Sequence, residues 1–204
     1  AFFDGVNTWR ARVYVSEVGV WEWSSTCKMD QGLDGQAGEF TADESKLRGR
    51  LLPHPKNSRQ WITEDGRWFL NLNDTAYFLL CAHDGNGEPV SDERAMRYVR
   101  DDVSHGITSV RCFLASRRGG FAESQDQWIA WHFETQEFDR LRLETMQCAD
   151  RRMQMLLDEF PDIAVQLILF PLEAYARDDR FWTALSKDQR ERLVRNIVAR
   201  FSAY

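Results

Sequence analysis

Ala164-Val165-Gln166-Leu167-Ile168-Leu169-Phe170 is the stretch that decides the fold. It is apolar at every position but Gln166, follows a Pro161-Asp162 break, and is too short for a buried helix or a membrane span. A run of this kind reads as a strand covered on both faces, which is the environment of a parallel sheet. Its neighbours in sequence agree. Upstream, Asp139 to Phe160 carries a helical stripe of Leu143, Met146, Ala149, Met153, Leu156 and Phe160. Downstream, Ser186-Lys187-Asp188-Gln189 forms a capping box, with Leu193, Val194, Ile197, Val198 and Phe201 expected to face inward.

Further upstream the same alternation repeats. Ile107-Thr108-Ser109-Val110-Arg111-Cys112-Phe113-Leu114 reads as a strand. Before it, Ser91 to Ser104 reads as a helix, with Ser91 as cap, Asp92 and Glu93 at the positive end, and Met96, Val99 and Val103 on one face. Gly106 ends that helix. Before the helix, Gln60-Trp61-Ile62-Thr63 and Arg67-Trp68-Phe69-Leu70-Asn71-Leu72 flank Glu64-Asp65-Gly66, a hairpin around an Asp-Gly turn. Its second arm runs on into Asn73-Asp74-Thr75-Ala76-Tyr77.

Strand and helix therefore alternate three times, with long loops after the strands. No GxGxxG or GxxxxGK[ST] follows the first strand, so a nucleotide-binding sheet loses support and a (β/α)8 barrel fits better. Such a barrel needs about 250 residues. The alternation stops at Tyr204 inside an expected helix, so the chain is expected to be a fragment of a larger parent.

The first part differs. Trp9-Arg10-Ala11-Arg12-Val13-Tyr14-Val15 and Val20-Trp21-Glu22-Trp23-Ser24-Ser25-Thr26 alternate as half-buried strands around Glu17-Val18-Gly19, and Gly35 to Thr41 reads as a third. A sandwich uses about seven strands. Residues 1–42 are expected to be the C-terminal strands of a small β-sandwich domain, with Trp9, Trp21 and Trp23 in its core. Residues 43–58, rich in charge and proline, read as an extended linker. Residues 59–204 are expected to be the N-terminal part of the barrel, its first three βα units.

Bulk composition narrows the function classes. Hydrophobic residues make up 43% and charged residues 28%, the balance of a folded globular chain. A net charge of -6 argues against a nucleic-acid partner, because such partners select a basic face. No apolar run is long enough to span a membrane, and Ala1-Phe2-Phe3 is no signal peptide, leaving the compartment open. The four cysteines, Cys27, Cys81, Cys112 and Cys148, have no zinc-type spacing and read as buried thiols. The four histidines, His54, His83, His105 and His132, have no HxH or HxxxH partner, so neither a metal nor a cofactor is expected. No GxSxG elbow is present either.

The order of segments resembles bacterial glycoside hydrolases of the apiosidase-like type, in which a small β-sandwich precedes a (β/α)8 catalytic barrel. The most distinctive stretch is Asp65-Gly66-Arg67-Trp68-Phe69 leading to Leu72-Asn73-Asp74-Thr75-Ala76-Tyr77, similar to the family's DG-x-P-F-F and G/A-D-T-A-W. Trp68 stands where that family has proline, and Tyr77 where it has Trp. Trp9 to Val13, Gly19 to Trp23, Leu33 to Phe40 and Arg192 to Tyr204 carry the rest of the likeness. The resemblance implies a carbohydrate substrate and hydrolysis of O-glycosidic bonds by two carboxylates. It implies an acid/base Glu closing a fourth strand in Asn-Glu and a nucleophile on a later strand, both after Tyr204. No catalytic residue is then expected within this chain.

Candidate substrate contacts lie at the C-terminal ends of the strands. Asp74 bonds sugar hydroxyls or an active-site neighbour, or else caps its own loop. Arg111 is a charge in an apolar strand, costly unless paired, so it orients a carboxylate, binds substrate, makes a structural ion pair or reaches solvent from the strand end. Glu173 follows the third strand and reads as a solvated loop residue or a sugar contact. Trp128 and Trp131, with His132 and Phe133, follow the second strand, while Trp182, with Tyr175 and Phe181, follows the third. An aromatic face suits the C–H face of a sugar ring, although most Trp residues simply pack. Two rivals remain: a non-catalytic carbohydrate-binding protein, and a metal-dependent barrel hydrolase, which the lack of paired histidines disfavours.

Overall fold

A computed structural model describes residues 1–84, 88–114, 139–169 and 185–204. It is a mixed α/β chain with three helices among those residues. Strands β8 (Asn73–Asp74), β9 (Ser109–Phe113) and β10 (Ala164–Ile168) form a parallel sheet with β9 in the centre. The register aligns Asn73, Ser109 and Ala164, then Asp74, Val110 and Val165. Helices α1 (Asp92–Ser104) and α2 (Leu143–Glu159) fall in the connections between them, and α3 (Lys187–Phe201) follows β10.

The caps are where the side chains predict them. Ser91 Oγ accepts from the Arg94 N–H, and Gly106 takes the left-handed conformation (φ +85°) that stops α1. Ser186 and Gln189 cap α3 reciprocally. Helix α2 has no side-chain cap and begins at Leu143, the first residue of its stripe and four residues later than the expected start at Asp139. Val103 and Val198 are exposed rather than inward-facing, because the buried stripe of each helix is narrower than its apolar pattern.

One hydrophobic core joins sheet and helices. Val110, Cys112 and Leu114 are fully buried and meet Met96 and Val99 of α1, Met146, Ala149, Met153 and Leu156 of α2, and Leu193, Ile197 and Phe201 of α3. Because side chains alternate along a strand, Ser109, Arg111 and Phe113 project from the opposite face. β10 is half-buried at its apolar positions and exposed at Gln166, not buried on both faces, and β9 is its only strand partner among the described residues. No helix among the described residues is long and apolar enough to cross a membrane.

An antiparallel sheet, β5 (Leu51–His54), β6 (Asn57–Thr63) and β7 (Trp68–Phe69), precedes β8. The expected Asp-Gly hairpin joins β6 to β7, with Gly66 at φ +84°. Leu51–His54, expected as linker, is a strand, because extended proline-containing backbone can still pair along an edge. Further upstream, β1 (Phe2–Phe3) pairs with β2 (Trp9–Arg10), and β3 (Gly19–Ser24) with β4 (Ala37–Ala42). The expected pairing of 9–15 with 20–26 does not form. Trp9 and Trp23 are about half exposed, not core, because the β1–β2 and β3–β4 ribbons are two-stranded and leave much of their faces open.

The N-terminal residues dock on the helices through two arginines. Arg200 of α3 is fully buried and donates to Asp150 of α2 and to Asp4, while its guanidinium lies 4.3 Å from the Phe2 ring centroid. Arg12 reaches Asp150 at 3.0 Å and lies over Tyr204 at 4.4 Å.

Candidate functional site

The parallel sheet has two unlike ends. Its N-terminal end is tied down. The Leu72 N–H donates to Thr108 Oγ1 at 2.9 Å, Asn73 Nδ2 donates to Ser109 Oγ at 2.7 Å, and Ser109 Oγ donates to Asn71 Oδ1 at 2.5 Å. Arg48 pairs with Asp162 beside it. At the C-terminal end, the Phe113 N–H bonds the Tyr77 carbonyl and the Tyr77 and Phe113 rings stack at 4.6 Å, nearly parallel. Phe78 meets Phe113 edge-on at 5.9 Å. Phe113 is buried beside these rings, on the sheet face opposite the one that packs on the helices.

Arg111 sits one layer below Phe113 on that face, in register with Gln166 of β10. Its Nε–H is buried and has no acceptor, and no ion pair forms with it among the described residues. A buried guanidinium N–H without an acceptor is costly, so the face has an unfilled demand for an anion or a strong acceptor. The arrangement can orient a carboxylate or hold a polar ligand beneath an aromatic lid.

Asp74 is placed differently. In register with Val110, it shares the helix-facing side and accepts from the Tyr98 hydroxyl of α1 at 2.6 Å. That bond, with burial second, raises the Tyr98 phenol above its usual range. Asp102, one turn along α1, has a buried Oδ2 with no partner. Burial first, and then the nearby charges of Asp74 and Asp101, push its carboxyl up to about 6, with His105 opposing. Arg111 and Asp74 therefore stand on opposite faces of one sheet. Trp128, Trp131, Glu173 and Trp182 lie outside the described residues, as do His132, Phe133, Tyr175 and Phe181. Sequence reasoning missed Tyr98 and Asp102; their spacing on one helix face is the signal that could have drawn attention to them.

The raised Asp102 carboxyl has a measurable effect. The folded state holds a proton between about pH 4 and pH 6 that the unfolded state has released, so this group destabilises the fold above pH 6 and ceases to do so as the pH falls. Asp102→Asn is expected to raise stability by about 1 kcal/mol at pH 7, after allowance for solvent screening, and to leave it unchanged near pH 4. Thermal unfolding across that range is the check; an equal effect at both pH values would contradict it.

Among the described residues no group of three or more His, Cys, Asp or Glu is placed to hold a metal ion. Cys81, Cys112 and Cys148 are buried, Cys27 is half-buried, and none forms a disulfide. Burial pushes the Cys112 thiol up and makes it a poor nucleophile at neutral pH.

No protein-family model matches the chain, and no curated protein matches it. Among solved structures, a candidate glycoside hydrolase from Bacteroides vulgatus is similar over 99% of this chain, with a TM-score of 0.72 and 21% sequence identity. The match covers 39% of that longer chain. At this identity the likeness is one of fold: the path of the whole chain described above, from the N-terminal ribbons to the α/β layers, is one that a candidate glycoside hydrolase also follows.

Proposed function

We propose that this chain is part of a glycoside hydrolase that cleaves O-glycosidic bonds in a polysaccharide or its side chains. In this reading β8, β9 and β10 with their helices are the first βα units of a (β/α)8 barrel, and residues 1–42 are the end of a β-sandwich domain of the apiosidase-like type. The acid/base and the nucleophile come from sequence after Tyr204. The sugar lies over the C-terminal ends of the strands, where barrel enzymes place their chemistry.

The observation that carries this reading is Arg111, with its unpartnered, buried Nε on the sheet face opposite the helices, one layer below the Tyr77 and Phe113 rings. The fold likeness supports it. Hydrolysis needs two carboxylates, about 5–5.5 Å apart for retention, and a fixed cation beside one of them keeps it ionised and oriented. Arg111 fills that positioning role. Trp128, Trp131, Glu173 and Trp182 are the further proposed substrate contacts, and Asp74 acts through Tyr98 to fix the start of the loop after β8.

The test compares the full gene product with the 1–204 chain on a panel of plant and microbial polysaccharides, scored by release of reducing sugar. Hydrolysis by the full product and none by 1–204 is expected. Arg111→Met in the full product is expected to lower kcat by about 100-fold with little change in KM, as for a group that acts on the transition state. Sugar binding without hydrolysis by the full product would sink the enzyme reading and leave a carbohydrate-binding protein.

A further inference from the structure

We infer that a second carbohydrate site lies on the outside of the helix layer, between the β1–β2 ribbon and α3, away from the sheet face that carries Arg111. A groove of about 660 Å³ opens there, within the ligand-site range of about 300–1,000 Å³. Trp9 and Phe3 form its aromatic wall, 5.7 Å apart and edge to face, with more than half of the Trp9 surface open to solvent. Asn196 of α3 lines the same groove, and its side-chain Oδ1 is buried without a donor.

These two features define one ligand chemistry. The wall offers an apolar face, and the amide oxygen calls for an O–H or N–H that the described residues do not supply. The charges at the rim balance: Glu191 and Arg195 stand 4.0 Å apart, and Asp139 and Arg140 stand 3.9 Å apart. A net ionic ligand gains nothing from such a rim. A neutral sugar meets all three conditions, with its C–H face on Trp9 and a hydroxyl donating to Asn196 Oδ1. The wall is also preformed. Gly5, Val6 and Asn7 make a tight positive-φ turn, and Asp4 is held by Arg200 at 2.8 Å and accepts from Gln147 at 3.3 Å. Little ordering remains to be done on binding.

The experiment titrates the 1–204 chain with short cello-, xylo- and mannooligosaccharides, following Trp fluorescence, for the wild type and for Trp9→Leu, Asn196→Leu and Arg111→Met. One oligosaccharide is expected to bind the wild type and Arg111→Met alike, with affinity about 10-fold weaker in Asn196→Leu and in Trp9→Leu. Asn196→Leu is also expected to melt at a higher temperature, because it removes an unpartnered buried acceptor. Its fold is therefore not in question when binding falls. Failure of all three sugar classes to bind would overturn the inference, as would unchanged affinity in Asn196→Leu. Loss of binding in Arg111→Met alone would also overturn it, by placing the sugar on the sheet face, where it would bear instead on the hydrolase reading.

Discussion

Arg152→Met is expected to lower the free energy of unfolding by about 3–5 kcal/mol, the usual cost of breaking a buried ionic cluster by removing one partner. Arg152 of α2 is almost fully buried. Its Nε donates to Asp92 at 2.9 Å, its Nη1 to the carbonyls of Leu79 (3.0 Å) and Cys81 (2.5 Å), and its Nη2 to the carbonyl of Val90. Four acceptors on two segments, 79–81 and 90–92, share one guanidinium; without it three carbonyls lose this donor and Asp92 keeps only Arg151. Arg152→Lys keeps the charge but loses the fork, so an intermediate loss is expected.

Asp92 adds a pH dependence to this cluster. The bond from Arg151 above all holds its carboxyl low, burial opposes, and Arg152 assists, bringing it to about 2. The folded state then binds a proton less readily than the unfolded state. This stabilisation is complete above about pH 4 and fades as the pH falls towards 2. Denaturant unfolding at pH 7 and at pH 3 measures both effects. A loss below about 1 kcal/mol for Arg152→Met would show that the carbonyls find water instead.

Arg200→Met is expected to cost about 3–4 kcal/mol by the same reasoning, but with a local signature. Arg200 joins Asp150 at 2.5 Å, Asp4 at 2.8 Å and the Phe3 carbonyl at 3.3 Å. Its loss releases the first residues from α2 and α3, since Phe2 is buried beneath that guanidinium. Burial at Asp4 works against ionisation, but Arg200, Gln147 and Arg10 outweigh it and hold the carboxyl below its usual value. The Asp4 contribution therefore disappears only in acid. Limited proteolysis should cut the variant within the β1–β2 ribbon before the rest of the chain. The Arg200 Nε has no acceptor, so the cluster is incompletely satisfied. A joint Arg200→Met, Asp150→Leu change is accordingly expected to lose less than Arg200→Met alone. Equal proteolysis of wild type and Arg200→Met would contradict the anchoring role.

Much of the α/β part was legible along the chain. Ser91, Gly106 and the Ser186–Gln189 box mark helix ends through bonds between residues at most four apart, so their chemistry is local and readable. The apolar runs around Val110 and Leu167 likewise mark strands. The N-terminal part was less legible. The alternation in Val20 to Ser24 says which side chains share a face, but it cannot say whether the partner is the segment before or the segment after. The structure pairs it with Ala37–Ala42.

The candidate site divides in the same way. That Arg111 is anomalous in an apolar strand can be read from the sequence, because burying an unpaired charge is costly wherever it occurs. That Asp74 turns towards α1 and Tyr98, while Arg111 faces away from the helices, follows from the register of β8 on β9, which no local pattern specifies.

By itself, the sequence determined the helices with their caps, the Asp-Gly hairpin and the parallel strands, because short-range hydrogen bonds and side-chain periodicity act within a few residues. Only the tertiary structure decided that Arg152 gathers acceptors 60 to 73 residues away and that Arg200 reaches back 196 residues to Asp4. A guanidinium is equally at home on a solvated helix face. Its burial is settled by which carbonyls and carboxylates the packed elements bring within 3 Å of it, and that is a property of the assembled fold.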